Sequence, residues 1–220
     1  MDILRKHIHG SPYVGVFSIV TEQFALFSYD AAPKDLEGIK AALDVDLLQC
    51  KIACSGLLGI FSTGIGKKIL IPDIADESEA EKLKDFSLKV KVIKGYSAIG
   101  NIIAVNKNAC LASRVVDKKT RGEIGDFLGV QVFENPVKEF DLPGSFMRVT
   151  DAGFIVHPDI QEKEFRELEK IFKVSGSATT ANFGDSFVGN CVVANTHAAI
   201  AGGNTSGYEL LRIDEGLRGD

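Results

Sequence analysis

No stretch of this chain is long and apolar enough to span a bilayer, and residues 1–10 (MDILRKHIHG) lack a signal-peptide core. A cytoplasmic protein with no membrane partner is the expectation. Cysteine is scarce and unpatterned. Cys50 and Cys54 stand four apart, but Cys110 and Cys191 form no second pair to complete four zinc ligands. Free thiols in a reducing compartment are expected, with no metal and no cofactor. A Walker-type loop is missing too: GIGKK at 64–68 lacks its spacing and its Ser/Thr. Positive charge is in deficit, with 25 Lys and Arg against 30 Asp and Glu, a net charge of −5. Such a chain does not coat nucleic acid on its own, because that affinity comes mainly from neutralised phosphates. A protein partner, or a local patch on a larger ribonucleoprotein, stays open. Low-complexity segments and linkers are absent as well.

What is present is 220 residues of ordinary globular composition, 45% hydrophobic and 25% charged, enough to bury a sizeable core. The chain also repeats itself. GNCVVANTHAAIAGGN at 189–204 echoes GNIIAVNKNACLASRV at 100–115, and the same register opens at Gly15, Gly59 and Gly144. The intervals are 44, 41, 44 and 45 residues. Eleven residues after each glycine stands Leu26, Leu70, Leu111, Ile155 or Ile200, and turn formers fall six to nine residues after it. Each block reads as a hairpin of two apolar strands. The glycine is expected to open the first strand, where backbones crowd around an axis or a positive φ is needed.

Helical spacing follows each hairpin, over 35–43, 76–86, 117–128, 159–172 and 208–217. Asp76 with Glu79, and Asp159 with Glu162, read as capping boxes. A short third strand follows the first four helices, over 46–52, 90–94, 130–133 and 173–175. The fifth unit lacks one, while residues 3–8 precede the first hairpin with no helix of their own. The economical inference is that this N-terminal strand fills the gap and closes a ring, which removes unpaired edges. The expected architecture is α/β, a single domain over 1–220. It comprises five repeats of about 44 residues with hairpins starting at 15, 59, 100, 144 and 189, helices outside and hairpins in the middle.

Candidates for chemistry are few. Cys191 and His157 are the only plausible nucleophile and base, and both sit in apolar strand contexts, NCVVA and FIVHPD. His7, His9 and His197 have no sequence-local acid or cysteine beside them. GGNTSG at 202–207 could offer backbone amides to an anion, though a flexible helix start explains it equally.

The segment 176–213 closely resembles the last repeat of the archaeal translation initiation factor 6 family. The T-x-N-x-G element is Thr180, Asn182 and Gly184; Val188-Gly189 and Ala194-Asn195 follow. Gly202, Thr205, Ser206, Gly207, Glu209 and Leu210 complete the match. LLQCKIACSGLLG (47–59), SAIGN (97–101) and LPGSF (142–146) resemble the family's openings of repeats two, three and four. The resemblance covers essentially the whole chain. It implies the pentein fold, a five-bladed α/β propeller with pseudo-fivefold symmetry, and a function without catalysis. Members of the family bind the large ribosomal subunit on its intersubunit face, near ribosomal proteins beside the sarcin–ricin loop, with minor contact to ribosomal RNA. There they block joining of the small subunit, and a part in large-subunit biogenesis is implied. By position, the resemblance assigns subunit binding to Asn101, Ser145, Phe146 and Ile60, and to Asn190 and Val16 in repeats five and one. Ile60 departs from the charged residue of some relatives. A monomer with no small-molecule substrate is expected. The alternative is a guanidino-modifying enzyme of the same fold, using Cys191 and His157.

Overall fold

The computed structural model describes residues 1–219, the last residue of the chain lying outside them. Among the described residues are five three-stranded sheets, each an antiparallel hairpin with a third strand added in parallel. The third strands are Asp46–Cys50, Lys89–Ile93 and Gln131–Glu134, overlapping the expected spans, and Gly176–Ala178, which lies wholly after the expected 173–175 because Lys173 still caps the preceding helix. In the last sheet the third strand is Asp2–Lys6, which pairs in parallel with Ala198–Gly202. The Met1 ammonium anchors it 2.7 Å from Asp214 on the final helix.

Helices form where the apolar spacing places them, with three adjustments. Glu77–Asp85 starts at Asp76 and Glu79, which close a capping box. Lys118–Leu128 is capped by Asp117, and Gly207–Arg218 by Ser206 with Glu209. The first helical stretch is split into Pro33–Leu36 and Ile39–Leu43, because Gly38 takes φ +78° between them. The fourth starts later than expected, at Glu162–Phe172, and its box is Gln161 with Glu164 rather than Asp159 with Glu162. The third correction concerns the repeat glycines. None opens a strand. Each lies within a single helical turn, Val14–Phe17, Leu58–Phe61, Ile99–Ile102, Pro143–Phe146 or Val188–Cys191, and the inner hairpin strand begins after it.

The crowding inferred for these glycines is real. A Cβ on Gly59 would lie 1.7 Å from the carbonyl oxygen of Gly15, one on Gly100 2.0 Å from that of Gly59, and one on Gly144 1.7 Å from that of Gly100. Gly189 meets the Gly144 oxygen at 2.1 Å, and Gly15 meets that of Gly189 at 2.2 Å, so the series returns to its start. Only a residue without a side chain permits this approach.

The apolar core follows the same cycle. Each of five clusters joins two neighbouring units. Ile8, Phe27 and Ile39 of the first pack with Val193 and Ile200 of the fifth. Leu26 meets Ile69 and Leu83, Leu70 meets Cys110 and Ile124, Leu111 meets Phe154 and Phe172, and Ile155 meets Val192 and Ile213. The five residues at position eleven after the glycine are wholly buried at these boundaries. Side-chain amides reinforce them. Asn106 donates to the carbonyls of Thr150 and Phe172 at 3.0 and 3.1 Å, and Asn195 donates to that of Leu43 at 2.8 Å.

Candidate functional site

The five helical turns pack against one another around the axis. Two registers on them face different ways. The residue after the glycine is Val16, Ile60, Asn101, Ser145 or Asn190; four of these are half-buried, and Ser145 is buried. The next residue belongs to the core. Phe17 and Phe61 pack against the clusters of their units, while Ile102, Phe146 and Cys191 are members of theirs. Phe146 has no exposed surface, and its ring lies 6.1 Å from that of Phe140. It therefore cannot present an apolar anchor to a partner in this conformation, and Ser145, 3% exposed, has too short a side chain to emerge. Of the six residues assigned by resemblance, Val16, Ile60, Asn101 and Asn190 reach the surface. The side-chain amides of Asn101 and Asn190 have no hydrogen-bond partner within the described residues, whereas Asn106 and Asn195 are fully engaged.

A third register was not singled out in the sequence. Two residues before the glycine, at the start of each turn, stand Tyr13, Leu57, Ala98, Leu142 and Phe187. Tyr13, Leu142 and Phe187 are 41–43% exposed, and together they gather large apolar surface beside the turns. Two are held in place. The edge of Phe187 packs 5.7 Å from the His157 ring, which itself stacks on Phe140 at 4.0 Å. The Asp185 carboxylate of the fifth unit lies near the Tyr13 hydroxyl and holds its pKa above the ordinary value. The signal was available, because five residues at a fixed offset from five glycines all lack charge.

Beside this surface, a buried carboxylate ties down a loop. Glu209 accepts hydrogen bonds from the backbone N–H groups of Phe183, Gly184 and Ser206 at 3.1, 2.9 and 2.7 Å, and from the Thr180 hydroxyl at 2.7 Å. Burial works to raise its pKa, but these bonds outweigh it and hold the group below the ordinary value. Asn182 and Phe183 are kept at φ +49° and +69°, with the Phe183 ring 84% exposed. Glu79 clasps Ala53 and Cys54 in the same way, at 2.7 and 2.9 Å.

The structure brings Cys191 and His157 into no hydrogen bond with each other. Burial, with the Asp185 carboxylate nearby, pushes the Cys191 thiol up to about 12. That is the opposite of an activated nucleophile. His157 is 5% exposed; burial lowers its pKa, and its Nδ1 accepts from the Asp159 N–H at 3.1 Å. All four cysteines are free thiols. Among the described residues no cluster of metal-ligating side chains occurs, and no helix is long and apolar enough to cross a membrane. The GGNTSG segment is held tightly: a Cβ on Gly202 would lie 2.0 Å from the Pro12 oxygen, and one on Gly203 2.0 Å from the His7 ring.

Fold and surface together define the class, a pseudo-fivefold α/β repeat protein with its repeated axial turns gathered into one face. The chain matches the model of the eIF-6 family over residues 3–216. It is 34% identical to translation initiation factor 6 of Staphylothermus marinus, covering 100% of this chain and 99% of that one. Against the same factor of Pyrococcus abyssi it is 33% identical, with 99% of each covered, and against that of Methanocaldococcus jannaschii 33%, with 98% and 97% covered. A dimethylarginine dimethylaminohydrolase structure aligns at TM-score 0.45 and 13% identity over 94% of this chain and 73% of that one, which carries no argument about activity. The chain belongs to the eIF-6 family and is a translation factor.

Proposed function

We propose that the chain binds the large ribosomal subunit through the face formed by its axial turns, and that it blocks the small subunit by occupying the intersubunit surface. The observation that carries this reading is the pair of uncommitted amides, Asn101 and Asn190, set among half-exposed Val16 and Ile60 and bordered by exposed Tyr13, Leu142 and Phe187. Apolar anchors around a few polar contacts are the composition of a protein recognition patch. The net charge of −5 agrees with docking mainly on a protein neighbour, with contacts to RNA at the rim. Occlusion needs no turnover, in keeping with the suppressed thiol of Cys191. The factor acts as a monomer, without a cofactor, in the cytoplasm.

Sedimentation of the protein with separated subunits tests this. It is expected to travel with the large subunit and to lower the yield of joined ribosomes. Travel with the small subunit alone, or with neither, refutes the reading. Asn101→Asp is expected to weaken large-subunit binding by about tenfold, roughly 1.4 kcal/mol, across a salt series, with the unfolding midpoint unchanged.

A further inference from the structure

The inner strand of each hairpin is an edge strand, paired on one side only, and several of these edges contact each other around the axis. Four residues after the glycine, each inner strand places one residue directly opposite the buried Leu or Ile. The pairs are Ile19 with Leu26, Thr63 with Leu70, Ala104 with Leu111, Arg148 with Ile155, and Val193 with Ile200. Four of the five residues are uncharged. The fourth unit puts an arginine there.

Arg148 is partly buried, in a cavity of about 30 Å³ that it lines with Ile19, Thr63 and Ala104. Its Nε–H donates to the Val192 carbonyl at 2.8 Å, and one Nη2–H donates to the carbonyl of Gly189. A guanidinium has five N–H donors, so these two acceptors leave three without a partner in the fold. No carboxylate lines the cavity, and Arg148 takes part in no ion pair among the described residues. The hydroxyl of Thr63, at the matching register, has no hydrogen-bond partner either. Burial lowers the guanidinium to about 10, which still leaves it charged at neutral pH. A charge drawn partly out of bulk water is favoured by a counterion beside it, because its hydration is reduced. Two carbonyl oxygens solvate this one without neutralising it.

We propose that the axial cavity is an anion site, holding one small inorganic anion of about chloride's size against the guanidinium of Arg148. The volume sets the class. A cavity this small holds one or a few species of water's size, so nucleotides, sugars and peptides are excluded. The anion supplies the missing countercharge and accepts from the three unpartnered N–H groups, with Thr63 among the lining residues. The proposal does not rest on the reading of ribosome binding.

Bromide gives a direct test. Crystals of the whole chain grown with sodium bromide are expected to show an anomalous peak in contact with the Arg148 guanidinium. The unfolding equilibrium constant is expected to fall about tenfold at a bromide or chloride concentration near ten times the dissociation constant, relative to gluconate at equal ionic strength. Arg148→Met is expected to lose that halide dependence. No anomalous peak, with only a water at the guanidinium, overturns the proposal. A halide effect on folding that survives in Arg148→Met overturns it as well. Should Arg148→Met fail to fold, the bromide map on the unaltered protein decides alone.

Discussion

Replacing Gly59 with alanine adds one methyl group where two backbones already touch. Its Cβ would sit 1.7 Å from the Gly15 carbonyl oxygen and 2.9 Å from that of Ser18. Ordinary C···O contacts are about 3.3 Å or longer, so the first overlap is roughly 1.6 Å. Both sides of the contact are backbone, and no rotamer can relieve it. The neighbours cannot retreat either, since Gly100 and Gly15 press on the adjoining turns at 2.0 and 2.2 Å. Overpacking in a core costs about 1–3 kcal/mol, and a contact with no soft partner belongs at the upper end, near 3 kcal/mol. That is a large fraction of the 5–15 kcal/mol, roughly, that holds a domain folded. Gly122 is the internal control. It lies exposed within the helix Lys118–Leu128, and an added Cβ there meets nothing within 4 Å. The same substitution at 122 should stabilise by about 0.5–1 kcal/mol through helix propensity alone. Urea unfolding reads both as midpoint shifts of opposite sign at unchanged slope. If Gly59→Ala unfolds within about 0.5 kcal/mol of the parent, the axial crowding is not what fixes these glycines.

Glu209→Gln is expected to cost about 2–3 kcal/mol, because the carboxamide turns an NH₂ toward donors that the carboxylate accepts. The folded pKa of Glu209 lies below its ordinary 4.5. Its contribution is therefore complete above that value and is lost as pH falls through the lower, folded one, so the acid limb of the variant's stability profile should be shallower. Phe146→Ala should lower stability by about 3–5 kcal/mol as a core truncation, and any refolded fraction should bind the large subunit normally. Normal stability with lost binding would restore Phe146 to the interface. Iodoacetamide on the native protein should label Cys54, which is exposed, and spare Cys50, Cys110 and Cys191, whose thiols burial pushes to about 12. Mass spectrometry of the peptides reads this directly.

The fold was legible because its core is written in the repeat. Leu26, Leu70, Leu111, Ile155 and Ile200 must all fill boundaries between units, so five separate stretches carry one constraint. The missing third strand of the fifth unit pointed to residues near the N-terminus, and Asp2–Lys6 does pair there. The axial turns were misread as strand because GVFSIV and GNIIAV offer β-branched and aromatic residues without a capping side chain. Packing around the axis, which propensity does not encode, makes one helical turn of them. Gly38 passed unnoticed within an apolar spacing that is otherwise helical, and Gln161 was overlooked as a cap because Asp159 has the stronger preference. At the site, Asn101 and Asn190 are half-exposed, but Phe146 is one residue further along, where the turn faces inward. A register error of one residue on a single helical turn exchanges surface for core.

Sharing every core between neighbours has a consequence for the face proposed above to bind the ribosome. No unit owns an apolar cluster, so none can move or unfold without exposing side chains of the next. The turns that carry Val16, Ile60, Asn101 and Asn190 are locked to one another by glycine-to-carbonyl contacts with no room for sliding. The face is therefore preorganised, and little ordering entropy opposes binding. On the proposed reading, partner choice is free to vary at the residue after the glycine in the four units where it reaches the surface, while the residue one further along is held to the core. This division fits a repeated phrase that carries Val, Ile, Asn and Asn at the half-exposed position, with a buried Ser in the fourth unit, yet keeps Phe, Phe, Ile, Phe and Cys at the inward one. Exchanging Asn101 for a bulkier polar residue should alter binding and leave the urea midpoint unmoved. The same change at Ile102, 8% exposed, should do the reverse.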